Sequence, residues 1–526
     1  MVFDGGLPAS KFSTRIDRLQ SLATELVTLR SRYDEKAKLA RSTGLKMSEI
    51  TQAHTLLPQD PRQRPIPPFL VFAIREELSH SERFRNHVQV VPDEADPWCA
   101  WQAWSRSRKG NVTYVFSSDS DLFVHDLGDK TWLVMFKDVE HGVTEKEEVL
   151  RMKRYSPATI AESHGLPDLM RVAYLMSLDP TKSFRVAVED ARLSTYYEGY
   201  VNFEDEYRHP CMQVLPAGFI NGLHSTDSRI SEYLVEIYMT KTFPNPSRLP
   251  TPHQPQFDIF LPVLIEDPSR ASAWVPSQKL RNTAYSFSQL MLGDNRNMIV
   301  HEFRRVGHTI GKSQQVLTSA QTLVPQMQEL ADYIFDERSK LVSQSHAVCW
   351  RLLALKYVLL SLHESQKKLL PLQEAIATAK HQEPRTWNQL HFLAQVHATL
   401  YSIRMLKQVL AWVSTWGKPD GVKAFLPDAK ADLAQLLEWL PGIAASFDPG
   451  AGTLGLAEAQ AIEEYVRGVY EGLEVEGEEE GEGVDRKAVK AKRKAERKRK
   501  REELGERVGD APREKVTNMF AALADE

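Results

Sequence analysis

Cysteine is scarce: three residues in 526, Cys99, Cys211 and Cys349, stand far apart and form no CxxC pair. That spacing excludes a disulfide framework and a thiolate zinc site, and it suits a reducing, intracellular compartment. The histidines are scattered with no HExxH, and His209 beside Cys211 reads as ordinary loop, so a zinc centre is not expected. Neither a Walker loop nor GxGxxG occurs, which leaves a nucleotide cofactor without support. The apolar runs at 352–362 and 390–410 are broken by Lys, His and Arg, so no membrane span is expected. Met-Val-Phe-Asp-Gly-Gly at the start has none of the features of a signal or transit peptide and reads like the middle of a domain.

Net charge is also small, −4, but it hides segregation. Glu471 to Asp485 holds eight acids and no base, whereas Arg486 to Arg501 holds eleven Lys or Arg and one acid. Such blocks repel themselves and act as interaction tails. The basic run fits nuclear import and also sequence-independent attraction to phosphate, with Arg493, Lys494, Arg497 and Lys498 at its centre. Val516, Met519, Phe520 and Leu523 are spaced for a short helix that could dock a protein partner.

Elsewhere the pattern alternates. Ile16, Leu19, Leu22, Leu26 and Leu29 form one face of a long helix that begins with Lys11, Arg15 and Arg18. Five prolines between Pro58 and Pro68 interrupt it. A short helix over 69–78, a strand over 87–91, a helix opened by Asp93-Glu94-Ala95-Asp96 and a strand over 112–116 follow. Trp98, Trp101 and Trp104 recur at helical spacing and are expected in the core. Residues 122–127 and 131–136 resemble a hairpin around Gly128-Asp129. The alternation predicts an α/β layer domain with a mostly parallel sheet over 1–205, in which 11–88 forms a helical insert. A proline-rich connection over 206–277, an α-helical domain over 278–470 and a disordered charged tail over 471–526 complete the expected organisation.

The residues that carry chemistry are carboxylates at strand ends and helix starts: Asp4, Glu94, Asp96, Asp119, Asp121 and Asp179. Ligands of open α/β sheets gather at the carboxyl ends of the strands. Bringing several carboxylates there is costly unless cations neutralise them, and Mg2+ or Mn2+ prefers such oxygen ligands. Two such ions can activate water and stabilise the leaving oxygen in phosphodiester hydrolysis. Taken alone, Asp119-Ser120-Asp121 reads as a solvated turn; order and surroundings give it meaning.

Four segments carry a resemblance in order: Phe3-Asp4-Gly5-Gly6-Leu7-Pro8 with Lys11 and Arg18; Asp93-Glu94-Ala95-Asp96-Pro97-Trp98-Cys99-Ala100; Val115-Phe116-Ser117-Ser118-Asp119-Ser120-Asp121; and Arg171 to Asp179. Together they resemble the flap-endonuclease/XPG nucleases, and the Ser-Asp-Ser-Asp form with a long helical continuation is most similar to the Asteroid subgroup. The resemblance covers about the first 190 residues. It implies a PIN-like nuclease domain acting on DNA through two magnesium ions. The six acids would be metal ligands or their outer shell, Lys11 and Arg18 would act on the scissile phosphate, and Arg15 and Lys182 would contact nucleic acid.

Two departures qualify that expectation. The family's opening strand, with its first catalytic Asp, has no counterpart before Phe3, so the sequence is expected to lack that strand and to be a poor catalyst as it stands. The residues after Asp179 carry no Gly-x-Gly, which disfavours the family's grip on duplex DNA and points to single-stranded or branched DNA. A non-catalytic scaffold that binds DNA or repair proteins through the same fold is the alternative. An α/β phosphatase or transferase built on Asp-x-Asp would explain neither Phe3–Pro8 nor Glu94–Ala100.

Overall fold

The structure is a computed structural model that describes residues 1–43, 65–143, 148–179, 181–193, 199–207, 215–242, 255–292, 298–382, 384–416, 428–447 and 455–479. Residues 1–463 form one compact unit and 464–526 a second, of which 464–479 are described.

Strand β1 (Val2–Asp4) leads through a tight turn into helix α1 (Phe12–Thr43). Helix α2 (Leu70–His80) precedes strand β2 (Gln89–Val91), which pairs in parallel with β1 and sets Asp4 opposite Val91. Helix α3 (Ala95–Arg108) follows, then β3 (Thr113–Ser117) and β4 (Thr131–Met135), a second parallel pair. One helix thus packs on both pairs, because α3 meets β1, β2, β3 and β4. Ala100 and Ala103 are fully buried against Leu122, Leu127 and Leu133, and Trp98 is buried as expected, whereas Trp101 and Trp104 are only half-buried. Small residues let the helix lie close to the strands.

The hairpin expected over 122–136 does not form. Residues 121–123 make a single tight turn, Leu122 and Leu127 point into the core under α3, and β4 pairs in parallel with β3. Leu122 and Leu127 are apolar because they pack there, not because they line a strand. A true antiparallel hairpin lies just downstream, β5 (Val139–Val143) with β6 (Glu148–Met152). Among the described residues no sheet contains all four parallel strands: β1–β2 and β3–β4 are separate pairs, each with an unpaired edge.

Helices α4 (Pro157–Ser163), α5 (Met170–Leu178), α6 (Phe184–Leu193) and α7 (Tyr200–Tyr207) come next. Ser156 caps α4 by accepting from the Thr159 N–H, ahead of Pro157 in the first turn. Ala187, Val188 and Ala191 of α6 close a small core against Val172 and Leu175 of α5.

The stretch expected as a proline-rich connection contains helices α8 (Ala217–Leu223) and α9 (Ser228–Thr242) and strand β7 (Gln256–Phe260). The region expected to be wholly helical begins with α10 (Gln278–Leu292) but then carries β8 (Ile299–Val306) and β9 (Thr309–Gln315). β8 pairs in parallel with β7 and antiparallel with β9. After it the helical expectation holds: α11 (Ala320–Lys340), α12 (His346–Glu364), α13 (Leu372–Ala379), α14 (Trp387–Trp416), α15 (Asp428–Glu438), α16 (Ile443–Phe447) and α17 (Leu456–Glu479). The acidic tail expected from residue 471 starts inside α17, and 480–526 lie outside the described residues. Among the described residues no helix is long and apolar enough to cross a membrane.

Two buried ionic knots lock this half together. Arg281 of α10, with no exposed side-chain surface, donates to Glu302 of β8 at 2.6 and 3.0 Å, and Tyr285 donates to the same carboxylate at 2.9 Å. Asp227, just ahead of α9, accepts from Arg404 of α14 at 2.7 and 3.0 Å and from Arg75 of α2 at 3.1 Å. These cations hold the Asp227 carboxyl below its usual pKa despite complete burial. Helix α9 is thereby tied to α2 and α14, and its first turn is fixed in direction.

Candidate active site

The acidic segments meet because two backbones run unusually close. A Cβ on Gly5 would stand 2.3 Å from the Val91 carbonyl oxygen, and one on Gly6 would stand 2.3 Å from the Pro92 oxygen. Only glycine tolerates that approach. Both glycine N–H groups point to the Asp93 carbonyl, at 3.2 and 3.4 Å. The turn after β1 is therefore seamed to the turn after β2. Asp4 then accepts from the Ala95 N–H at 2.7 Å, an acid held at the positive end of α3.

Asp119 and Asp121 arrive from the end of β3. Ser117 Oγ accepts from the Asp119 N–H and Asp119 accepts from the Asp121 N–H, both at 3.0 Å, which turns the chain sharply over the strand end. Between the two strand ends lies an open cavity of about 490 Å³ lined by Asp4, Asp96 and Asp119 together with Phe3, Ser117 and Ser228. The carboxyl ends of β1 and β3 thus face one shared space, as expected for α/β ligand sites.

Electrostatics confirm that the acids act on one another. Burial first, then the charges of Asp119, Asp4, Asp121 and Glu94, push the Asp96 carboxyl up to about 7. Asp121 is raised by burial and by Asp119, and Glu94 is raised by burial and by Asp4, Asp93 and Asp121. Asp4 keeps solvent contact at the cavity mouth, yet the protein around it raises its pKa too. Opposing this are Lys11, just ahead of α1 and 4.0 Å from Glu94, and Arg18, in the second turn of α1, both of which pull the Asp121 pKa down. The rotation of α1 is set by Phe12, which packs edge-on against Phe260 and Phe303 at 5.3 and 5.4 Å.

Five of the six expected metal-binding acids, Asp4, Glu94, Asp96, Asp119 and Asp121, are thus electrostatic neighbours. Asp179 is not among the groups acting on them: it sits exposed at the end of α5, where Thr181 donates from N–H and Oγ at 3.0 and 2.6 Å and lowers its pKa. Arg15, expected on phosphate, is instead turned inward: it donates to Glu232 of α9 at 3.2 Å and lies near the Phe260 ring. Lys182 is bound to Asp190 at 2.8 Å. Arg493, Lys494, Arg497 and Lys498 lie outside the described residues.

Sequence reasoning missed Asp93, Ser228, Arg229 and Glu232. Asp93 is a further carboxyl raised by burial and by Asp4, and Arg229 lowers the Asp4 pKa while pairing with Glu232 at 2.8 and 3.0 Å. Asp93 could have been found from its place beside Glu94; α9 gave no local signal.

The donor set suits a hard divalent cation, since every polar side chain lining the cavity offers carboxylate or hydroxyl oxygen. The oxygens are nonetheless spread: among the described residues no three carboxylate, imidazole or thiolate groups converge closely enough to hold an ion.

A sequence model of the family described as XPG domain containing matches residues 66–317. That match supports the XPG/PIN-like nuclease superfamily and a nuclease-like fold, and it spans β2 to β9, including all the acids except Asp4. No curated protein and no solved structure matches the chain.

Proposed function

We propose that the chain is an XPG-type endonuclease of the Asteroid kind that hydrolyses phosphodiesters in single-stranded or branched DNA. The observation that carries this reading is the cavity between the ends of β1 and β3, with its mutually repelling carboxylates and two opposing cations. A carboxyl such as Asp96, raised by burial and by the charges of Asp119, Asp4, Asp121 and Glu94, is a standing liability unless positive charge enters among them. Asp4, Asp96 and Asp119 on the cavity wall, with Glu94 and Asp121 beside them, would hold Mg2+ or Mn2+. Bound there, such ions supply an acidified water and neutralise charge on the phosphoryl oxygens.

Lys11, just ahead of α1, and Arg18, in its second turn, both act on Asp121, and each can stabilise negative charge that grows on a phosphodiester. Seated just beyond the acids, they also draw the anionic backbone toward a site that would otherwise repel it. Lys182 and the basic run around Arg493, Lys494, Arg497 and Lys498 would add sequence-independent phosphate attraction, and the same run fits import into the nucleus. Asp179 would stand outside the ion-binding set and serve as an outer, solvent-facing carboxylate.

One observation favours a second reading, a non-catalytic DNA- or repair-protein-binding scaffold: the carboxylate oxygens do not converge in threes among the described residues. Cleavage and binding assays separate the two. Full-length protein is incubated with single-stranded, flap and overhang DNA in 5 mM MgCl2 or MnCl2 (concentrations on the order used to saturate carboxylate sites,). Metal-dependent cleavage abolished by Asp119→Asn is the expected result. DNA binding without cleavage in either metal, unchanged by Asp119→Asn, would establish the scaffold instead.

A further inference from the structure

We infer that the helical half carries a second, separate binding site, for a small phosphomonoester with an apolar or aromatic body. The site is a cavity of about 330 Å³ formed where the loop before α10, the end of α12 and the start of α14 come together. That volume lies at the lower end of the range for small-molecule pockets.

Its wall divides into two chemistries. Arg270, Lys367 and Lys368 supply three cations, and no carboxylate lines the space. Val275, Leu362, Leu370 and Phe392 supply apolar surface to the same space. Arg270 is held in place by Asn388, to which it donates at 2.5 Å, and its Nε lies 3.8 Å from Asp267. Neither Lys367 nor Lys368 is paired with a carboxylate among the described residues. Two lysines on a neighbouring exposed surface would ordinarily reach for acids; here they flank a hollow.

Backbone geometry puts them there. Helix α12 ends in a left-handed residue, Gln366, at φ 54°, and the Lys367 N–H returns to the Leu362 carbonyl at 2.9 Å. This is the double closure that usually employs glycine. It turns the chain so that Lys367 and Lys368 continue across the cavity rather than away along the helix axis.

The cavity also contains an unsatisfied buried ring. His391, 4% exposed, lines it, and its Nδ1 has no hydrogen-bond partner; Glu266 is 3.7 Å away and already held by Arg305 at 2.8 Å. Burial and the fields of Arg270, Arg305 and Lys367 keep this imidazole neutral, with a pKa pushed down to about 3. An anion seated against Arg270, Lys367 and Lys368 would meet three positive charges and no lining carboxylate. The cation count favours a dianion over a monoanion, and the apolar wall favours an organic body over bare phosphate. The site shares no lining residue with the acidic cavity, so it stands whether or not the nuclease reading does.

Isothermal titration of the full-length chain with phenyl phosphate, inorganic phosphate, benzoate and phenol tests the inference. Phenyl phosphate is expected to bind at one site, at least tenfold more tightly than any of the other three. Lys367→Gln/Lys368→Gln, both at exposed positions, should weaken it at least tenfold. Ala271→Trp, at the exposed rim, should block it by filling the space. Absence of phenyl phosphate binding up to 10 mM would overturn the inference (about 2.7 kcal/mol is the limit of detection by that measure,). So would affinity unchanged in the lysine double variant or in Ala271→Trp, whereas equal binding of benzoate would overturn the dianion assignment and equal binding of inorganic phosphate the apolar-body assignment.

Discussion

Neutralising one acid in the cavity between β1 and β3 should make the protein more stable while making it useless to a metal. Asp96 is the sharpest case, because burial and four neighbouring acids push its carboxyl up to about 7 from an ordinary 3.8. Between those pH values the folded chain holds a proton that the unfolded chain has released. Stability therefore falls as pH rises from about 4 to 7 and levels off above. At roughly 1.4 kcal/mol per unit the full cost at pH 8 is about 4 kcal/mol. Asp96 is only half-buried and solvent screens part of the repulsion, so about 2 kcal/mol is the working figure. Asp96→Asn removes the charge and keeps the shape. Urea denaturation of the metal-free protein at pH 8 should show the variant about 2 kcal/mol more stable than wild type, with the difference vanishing near pH 4. Adding Mg2+ should reverse the order, because wild type gains about 2.7 kcal/mol when the ion is present at a hundred times its Kd. If Asp96→Asn is no more stable than wild type at pH 8 without metal, the carboxylates do not repel as described and the case for a cation among them collapses.

Other expectations follow from the same geometry. Lys11→Ala and Arg18→Ala should each lower DNA cleavage by about 10²-fold with little change in unfolding temperature, measured by single-turnover kinetics. Arg15→Ala should instead act on stability, because it removes one of the two arginine partners of buried Glu232, and circular dichroism melting distinguishes the two behaviours. Asp227→Asn leaves Arg404 and Arg75 facing each other in the interior and should cost about 3–5 kcal/mol by urea titration. Gly5→Ala cannot keep its 2.3 Å approach to the Val91 oxygen, so it should separate the turns after β1 and β2 and abolish metal binding by calorimetry. His391 is buried neutral, and the unfolded chain binds more protons below pH 6.5. Stability should therefore fall by about 1.4 kcal/mol per unit of acidification from that contribution. His391→Gln should flatten that slope between pH 6 and 4.

The parts of the site that could be read from sequence are those where a strand hands its acid directly to a turn. Asp4 before Gly5-Gly6, Glu94 and Asp96 at a helix start, and Asp119 and Asp121 after a β-prone run are local signals, and the fold brings Asp4, Asp96 and Asp119 to one cavity with Glu94 and Asp121 acting on Asp96. What could not be read depends on distant pairing. Ser228 reaches the cavity, and the charge of Arg229 reaches Asp4, from more than a hundred residues downstream, because Asp227 anchors α9 to α2 and α14. A segment bounded by prolines looked like a connector since nothing local reveals a buried carboxylate's two arginine partners. The false hairpin has a related cause: Leu122 and Leu127 carry the apolar weight of a strand but spend it under Ala100 and Ala103 of α3.

Arg15 and Arg18 show the limit most clearly. Both are arginines on one helix, three residues apart, and sequence could rank them only by family position. The structure separates them by the aromatic contacts of Phe12: once that ring lodges against Phe260 and Phe303, the rotation of α1 is fixed. Residues three apart stand only about 60° from each other around a helix, yet Arg15 turns to Glu232 and Phe260 while Arg18 is left near Asp4 and Asp121. The seating of Phe12 on Phe260, the ring that Arg15 also approaches, thus leaves Arg18 rather than Arg15 beside the acids. A Phe12→Ala chain should lose the distinction, with Arg18→Ala no longer more harmful to cleavage than Arg15→Ala. If Arg18 kept its full effect in the Phe12→Ala background, something other than that packing would have to orient α1.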